Sequence, residues 1–239
     1  MTLAVACTVA DYREYFDYWT GLAQKLDARI QLLILVQTGS ANGPALRVSP
    51  PSNMKVFFRE QLGLSRARND CIKLSRTRWL WFMDADSLLS EAFLSPEIVE
   101  EFLDTLRDTH AIVFHESSRG NSWRSASRMA LSGPSLKRLT SLRSPNLVID
   151  VDFVRRHSIR FSPMLGKNSR FGWPRHGEEF AFAMGMAMQG ARIQRIDFSP
   201  VTALRPSTGN TIGPVEKYAA LLIIACVIVA DWMRSRFFS

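Results

Sequence analysis

The fold of this chain is decided by residues 63–89, GLSRARNDCIKLSRTRWLWFMDADSLL, which combine a short helix, a buried strand and two carboxylates. Ser65 is a candidate N-cap, and apolar residues follow it at helical spacing, which predicts a helix of about three turns. Trp79 to Met83 is an unbroken apolar run, typical of a strand covered on both faces. Asp84 and Asp86 follow at once. Because ligands of open α/β sheets bind beyond the carboxyl ends of the strands, the two acids are predicted to face a cleft.

Strands and helices alternate on both sides of this stretch. Short apolar or β-branched runs predict strands over residues 3–9, 30–36, 54–58, 111–114, 147–153 and 192–196. Apolar residues spaced by three and four predict helices over residues 12–26, 95–106 and 178–189. Such alternation predicts an α/β fold in which helices flank a mostly parallel, Rossmann-like central sheet.

Composition bounds the class of protein without choosing a function. A chain of 239 residues suits one sizeable domain, and its formal charge of +8 with a pI near 9.9 indicates an anionic partner. That partner is a nucleic acid, a phosphate-bearing substrate or a membrane surface. Residues 118–175 contain twelve Lys or Arg against two Asp, a local net charge of +10, so the positive charge is concentrated there.

Cysteine usage and the N-terminus indicate a cytoplasmic location. Cys7, Cys71 and Cys226 are odd in number, widely spaced and set in apolar segments, so neither a disulfide framework nor a thiolate metal site is expected. A reducing compartment is consistent with this pattern. The N-terminus lacks a basic region before its apolar run, so no secretory signal is predicted.

The tripeptide Asp-x-Asp occurs twice, so its context must decide its meaning. Asp84 and Asp86 end an apolar strand, whereas Asp150 and Asp152 lie inside a strand-like run, where alternation would place both carboxylates on one solvated face. A hard cation, Mn²⁺ or Mg²⁺, held by one or two carboxylates and by phosphate oxygens would neutralise the diphosphate leaving group of a nucleotide-activated donor. We therefore expect Asp86 to bind the metal and Asp84 to bind the ribose or share the metal.

A second pair of acids, Glu178 and Glu179, opens a predicted helix after an aromatic-rich loop that includes Trp173 and His176. One interpretation is structural, because acids in a first helical turn are favoured by the helix dipole. The other is catalytic, because a partly buried carboxylate beside an acceptor hydroxyl could remove its proton. In that interpretation the aromatic loop binds the acceptor.

Taken together, these segments resemble the inverting GT-A glycosyltransferases of family two. Residues 63–89 are similar to the family's G-x-s-x-ARN segment followed by F-x-D-A-D. Val9-Ala10-Asp11 resembles the family's first strand and turn, and residues 161–190 resemble its segment around Gly-Glu-Asp. The resemblance covers roughly the first 205 residues.

The resemblance implies a metal-dependent enzyme that uses a nucleotide sugar, with a UDP-sugar as the expected donor. In it Glu179 replaces the family's usual Asp as catalytic base, with Glu178 beside it, and Trp173 and His176 contact the acceptor. The residues that it places at the donor are Thr8, Val9, Asp11, Arg68, Asn69, Asp84, Asp86 and Arg205. One departure concerns Gln37-Thr38, where the family often has two Asp, so a carboxylate often used in nucleoside binding is missing.

We divide the chain into a GT-A domain, residues 1–210, and a C-terminal apolar helix, residues 211–239. Within the domain, residues 1–116 form the donor half and residues 117–210 the acceptor half. The thirteen uncharged residues from Tyr218 to Ala230 would span about 20 Å as a helix, short of a bilayer core of roughly 30 Å. The helix is therefore expected either in a core or homo-oligomer interface, or as a peripheral anchor on the inner membrane.

The basic segment leaves two interpretations open, a solvated face or a surface for an anionic acceptor or lipid headgroups. Its candidate contacts are Arg119, Arg124, Arg128, Lys137, Arg138 and Arg143.

The leading hypothesis for function is transfer of a sugar, with inversion, to a saccharide acceptor that can be lipid-linked, in surface polysaccharide biosynthesis. One alternative is a nucleotidyltransferase acting on sugar phosphates, although Thr8 to Asp11 is no glycine-rich phosphate loop. A second alternative is a nucleic-acid-binding module. It is disfavoured because only Trp123 lies in the densest part of the basic segment, so no nucleic acid partner is expected.

Overall fold

The structure, a computed structural model, describes residues 2–9, 15–38, 49–115, 122–142, 146–166, 177–198, 200–203, 224–226 and 229. The first half contains β1 (Leu3–Val9), α1 (Phe16–Lys25), β2 (Ile30–Gln37), β3 (Met54–Arg59), α2 (Leu64–Leu74), β4 (Trp79–Asp84), β5 (Ser87–Leu89), α3 (Pro96–Leu106) and β6 (Ala111–Phe114). The second half adds β7 (Arg128–Leu131), β8 (Leu147–Asp150), α4 (Val151–Arg156), α5 (Glu178–Met188), β9 (Ile193–Ile196) and β10 (Val201–Ala203). Short 3₁₀ helices cover Glu91–Leu94, Trp123–Ser125 and Gly133–Ser141.

The central sheet has the strand order β3-β2-β1-β4-β8-β6-β9-β7. Strands β8 and β7 run opposite to the other six, because β4–β8, β6–β8 and β7–β9 are antiparallel pairs, whereas β1–β2, β1–β4, β2–β3 and β6–β9 are parallel. A separate two-stranded sheet joins β5 to β10. The expectation of a mostly parallel sheet flanked by helices is confirmed.

Strand β4 contributes to the core on both faces of the sheet. Trp81 packs on one face among Phe93, Phe102 and Phe114, with ring centroids 5.3–6.0 Å away. Phe82 points to the opposite face, where α2 and α5 also pack. Each large apolar side chain buried in this way stabilises the fold by about 1.5–3 kcal/mol. The apolar run therefore forms a strand covered on both sides, as its composition predicted.

The start of helix α2 differs from the prediction. Its N-cap is Gly63, not Ser65, and Gly63 has a φ of 130°, a backbone conformation that favours glycine. The backbone N–H of Gly63 donates to the side-chain oxygen of Gln37 at 2.7 Å, which fixes the chain at this turn. Gln37 occupies one of the two positions at which the resembled family often has Asp. In this structure its side chain links the end of β2 to the start of α2.

The second Asp-x-Asp also differs from the prediction. Its segment is not a continuous strand with two carboxylates on a solvated face, because β8 ends at Asp150 and helix α4 begins there. Asp150 is buried, caps the helix by accepting from the backbone N–H of Phe153 at 3.0 Å, and pairs with Arg78 at 3.0 Å. Asp152 is exposed in the first turn of α4. The capping bond satisfies an orphan backbone N–H of the helix, and the strand ends at Asp150, three residues before its predicted end at residue 153.

Part of the C-terminal segment packs on the domain itself. Ile224 is buried against Leu165 and Ala181, and a Cβ added to Gly177 would lie 2.4 Å from the Cδ1 atom of Ile224. Val229 is 51% exposed. At Ile224, therefore, the contact is with the protein's own core. Within the part of the chain that the structure describes, no helix is long and apolar enough to cross a membrane.

Candidate active site

The carboxyl ends of β1 and β4 lie side by side at one edge of the sheet. In their parallel register Thr8 is the partner of Asp84, and Asp86 occupies the turn that leads into β5. Both Asp side chains are half-buried. The structure thus places Thr8, Asp84 and Asp86 at the edge where the sequence predicted a cleft.

The two Asp carboxylates act together on the thiol of Cys7, one residue before Thr8. Burial raises the pKa of Cys7 well above its ordinary value, and the charges of Asp84, Cys71 and Asp86 raise it further. A negative potential of this kind suits a hard cation, which commonly uses one or two carboxylates together with phosphate oxygens and water. No group of three or more His, Cys, Asp or Glu that could hold a metal ion occurs among the described residues. Asp84 and Asp86 supply two carboxylates at this edge, and metal binding by them stays a prediction.

Arg68 connects this edge to the start of helix α5. Its guanidinium lies 2.8 Å from a carboxylate oxygen of Glu179 and 3.2 Å from one of Glu178, and the side chain is only 2% exposed. Although burial lowers the pKa of Arg68, the charges of Glu179, Glu178 and Asp84 raise it above its ordinary value. One guanidinium therefore interacts with carboxylates from both halves of the domain.

Glu178 lies in a closely fitted, buried environment. Burial, followed by the charge of Glu179, raises the pKa of Glu178 to about 8, although Arg68 acts in the opposite direction. Its Oε2 atom is buried without a hydrogen-bond partner among the described residues. A Cβ added to Gly166 would lie 2.9 Å from both the Cδ and Oε1 atoms of Glu178, so the absence of a side chain at Gly166 makes room for this carboxyl group.

Helix α2 also holds residues 161–166, which precede the glutamates. The side chain of Asn69 makes two bonds to the backbone of Phe161, donating to its carbonyl at 2.8 Å and accepting from its N–H at 2.9 Å. The hydroxyl of Ser65 donates to the carbonyl of Leu165 at 2.8 Å. The Phe161 ring stacks on Phe182 of α5 at 4.1 Å and lies 5.3 Å from the guanidinium of Arg68. These contacts fix the two halves of the site relative to each other.

The sequence placed Arg68 and Asn69 at the donor. Their ion pairs and hydrogen bonds described above are with the acceptor half, and Asp84 of the donor half acts on Arg68 through its charge. Donor binding by these two residues stays a prediction. The roles of Gly166 and Ser65 were missed, because their partners, Glu178 and Leu165, are distant in sequence and no local pattern indicates the contacts.

Five other residues were predicted to belong to the site, and the structure describes one of them. Val9 is buried at the end of β1. Asp11, Trp173, His176 and Arg205 lie outside the described residues.

Arginines of the basic segment make local contacts. Arg124 pairs with Glu101 at 3.0 Å, and Arg128 lies 4.9 Å from the Trp123 ring. Arg138 contacts the sulfur of Met129 at 3.3 Å. Lys137 is exposed, and Arg119 and Arg143 lie outside the described residues. An anionic partner for this segment stays a prediction.

Comparison with known protein families gives one match that covers half of the chain. Residues 41–162, 122 of the 239, match the family described as Glycosyl transferase family 2. This range includes α2, β4, and both Asp84 and Asp86. No curated protein matches the chain.

Solved structures share the fold at low sequence identity. TarS 1–349 of S. aureus in complex with UDP aligns with a TM-score of 0.60 and 17% identity over 95% of this chain, and this chain spans 65% of the length of that protein. TarS 1–349 in complex with UDP-GlcNAc gives a TM-score of 0.60 and 16% identity over 100% of this chain and 74% of that one. A mycobacterial protein gives a TM-score of 0.56 and 14% identity over 93% of this chain and 74% of that one. The likeness confirms the expected GT-A type of fold.

Proposed function

This chain belongs to glycosyl transferase family 2, and on that basis we propose that it is a metal-dependent, inverting glycosyltransferase that moves a sugar from a nucleotide-sugar donor to a saccharide acceptor. The observation that carries the proposal is the convergence at Arg68. Asp84 from the end of β4 and Glu179 from the start of α5 act on the same buried guanidinium. A donor held at the sheet edge and an acceptor held at α5 would therefore meet.

In the proposed reaction Glu179 is the general base. Its side chain is 11% exposed, against 4% for Glu178, so Glu179 is the better placed of the two to reach an acceptor hydroxyl. Removal of the hydroxyl proton by Glu179 lets the acceptor oxygen attack the anomeric carbon on the face opposite the diphosphate, which inverts that centre. One base and one displacement suffice for this outcome.

Asp84 and Asp86 would hold Mn²⁺ or Mg²⁺ together with the donor. When bound, the cation would supply positive charge for the departing diphosphate. The carboxylates themselves orient the donor at the end of β4, and Thr8 lies beside Asp84 in the register of the sheet. Asp84 ends a strand that is buried on both faces, and Asp86 lies in the turn directly after it, which supports a rigid site.

A UDP-sugar is the proposed donor. The support comes from the TarS structures, which share the fold and are described as complexes with UDP and with UDP-GlcNAc. For the acceptor we propose a saccharide that can be lipid-linked, used in the assembly of a surface polysaccharide. The exposed Lys137 and the concentration of positive charge over residues 118–175 are consistent with an anionic acceptor or with lipid headgroups around it.

Donor binding is tested by thermal unfolding with Mn²⁺ and a panel of nucleotide sugars. We expect a UDP-sugar to raise the melting temperature of the wild-type protein, and Asp86→Asn to remove this increase because it removes a metal-binding carboxylate. Asp152→Asn is the matched control, since it makes the same change in the other Asp-x-Asp, on the exposed side of α4. Equal donor-induced shifts in both variants would exclude Asp86 from the donor site.

The sugar-transfer step is tested by assaying the Glu179→Gln variant beside the wild-type protein. This variant should keep the donor-induced shift and lose about a hundredfold or more of the transfer rate, because it removes the base and not the donor site. Near-normal turnover would remove Glu179 from the mechanism. Stabilisation by nucleoside triphosphates and by no nucleotide sugar would instead support a nucleotidyltransferase.

A further inference from the structure

Two buried carboxyl groups share one guanidinium at the start of α5. Arg68 contacts Glu178 at 3.2 Å and Glu179 at 2.8 Å, and Asp84 adds a third negative charge near the same group. If both glutamates were ionised, the buried pair would carry two negative charges against one positive charge. Charges that are taken out of water and left uncompensated are strongly destabilising.

Among the described residues, Arg68 is the one positive charge that acts on Glu178. The ionisable groups that act on it are Glu179, from its own helix, and Arg68, from α2. Gly166 lies against the carboxyl group of Glu178, and residues 161–166 contain no ionisable side chain. Its Oε2 atom is buried without a hydrogen-bond partner among the described residues, a state that is much less costly for a neutral carboxyl than for a carboxylate.

We propose that Glu178 is a positioning residue that retains a proton at neutral pH, so that the single guanidinium of Arg68 is available to neutralise and orient Glu179. This inference rests on the proposed function, in which Glu179 is the base. Arg68 is itself fixed by the Phe161 ring at 5.3 Å, and Phe161 is held by Asn69. The protonated Glu178 therefore acts through Arg68 and does not touch the substrate.

The arrangement predicts how transfer depends on pH. When Glu178 loses its proton, a second carboxylate competes with Glu179 for Arg68, and the orientation of the base is lost. Transfer by the wild-type protein should then fall as the pH rises through about 8. Glu178→Gln resembles the protonated carboxyl group in shape and neutral charge, so this fall should disappear in the variant.

The protonation state is tested without any donor, by a pH titration of the protein labelled with ¹³C at the glutamate carboxyl carbons. We expect one glutamate signal of the wild-type protein to titrate near pH 8, and that signal to be missing in Glu178→Gln. The wild-type titration needs no variant to fold. A set of glutamate signals that all titrate in the ordinary acidic range would overturn the proposal.

The positioning role is tested by the pH profile of transfer. Glu178→Gln should keep the rate at neutral pH within about tenfold of wild type and remain active above pH 8, whereas Glu179→Gln should lose about a hundredfold or more at every pH. Loss of transfer in Glu178→Gln as complete as in Glu179→Gln would overturn the positioning role. Failure of every nucleotide sugar to bind would overturn the proposed function and leave the carboxyl titration as a separate result.

Discussion

Replacing Gly166 with Ala tests whether the carboxyl group of Glu178 is held where the structure places it. Gly166 has a φ of +90°, and a Cβ at this position would lie 2.9 Å from the Cδ and Oε1 atoms of Glu178. Contacts this short force one group to move. Because residues 161–166 are held by Asn69 and Ser65, we expect the carboxyl group of Glu178 to move away from Arg68.

The expected loss of stability has two parts. Placing Ala at a left-handed φ costs about 1–2 kcal/mol. Displacing Glu178 from Arg68 weakens a buried polar contact, which costs about 1–3 kcal/mol more. Gly166→Ala should therefore lower the free energy of unfolding by about 2–5 kcal/mol.

Gly190→Ala is the matched control. Gly190 has a φ of +78°, but a Cβ there meets nothing within 4 Å, so only the backbone part applies. We expect this variant to lose about 1–2 kcal/mol when both are measured by urea unfolding. Equal losses in the two variants would refute the reasoning, because they would mean that Glu178 yields to a Cβ at Gly166 without cost.

Two further predictions concern stability. The pKa of Glu178 is raised from 4.5 to about 8 in the folded protein, so the folded state holds a proton that the unfolded state releases between these values. The free energy of unfolding of the wild type, relative to that of Glu178→Gln, should therefore fall as the pH rises from 4.5 to about 8. The slope should reach about 1.4 kcal/mol per pH unit, and the difference should level off above this window. A difference between the two proteins that stays constant with pH in urea titrations would contradict this. Asp150→Ala removes the cap on Phe153 and the partner of Arg78, and should cost about 1–2 kcal/mol in the same assay, whereas Asp150→Asn keeps a capping oxygen and should cost less. Equal costs for the two Asp150 variants would show that the cap does not stabilise α4.

Much of the fold follows from local patterns in the sequence. Trp79 to Met83 forms a strand because five consecutive apolar side chains can be buried only when both faces of a sheet are covered. Asp84 and Asp86 reach the sheet edge because they directly follow that strand in the chain. Where a local pattern failed, at the start of α2 and at the end of β8, the bond from Gly63 to Gln37 and the side-chain cap of Asp150 on Phe153 set the limit of the element.

The sequence by itself determined the main strands and helices, their alternation and the sheet edge that carries Asp84, because these depend on the spacing of neighbouring residues. Only the tertiary structure decided how the site is joined. Arg68 and Glu178 are 110 residues apart, and Ser65 and Leu165 are 100 apart, so no periodicity relates them. A shared guanidinium, a missing Cβ at Gly166 and a buried carboxyl oxygen without a hydrogen-bond partner among the described residues are properties of packed space, and packing alone brings them together.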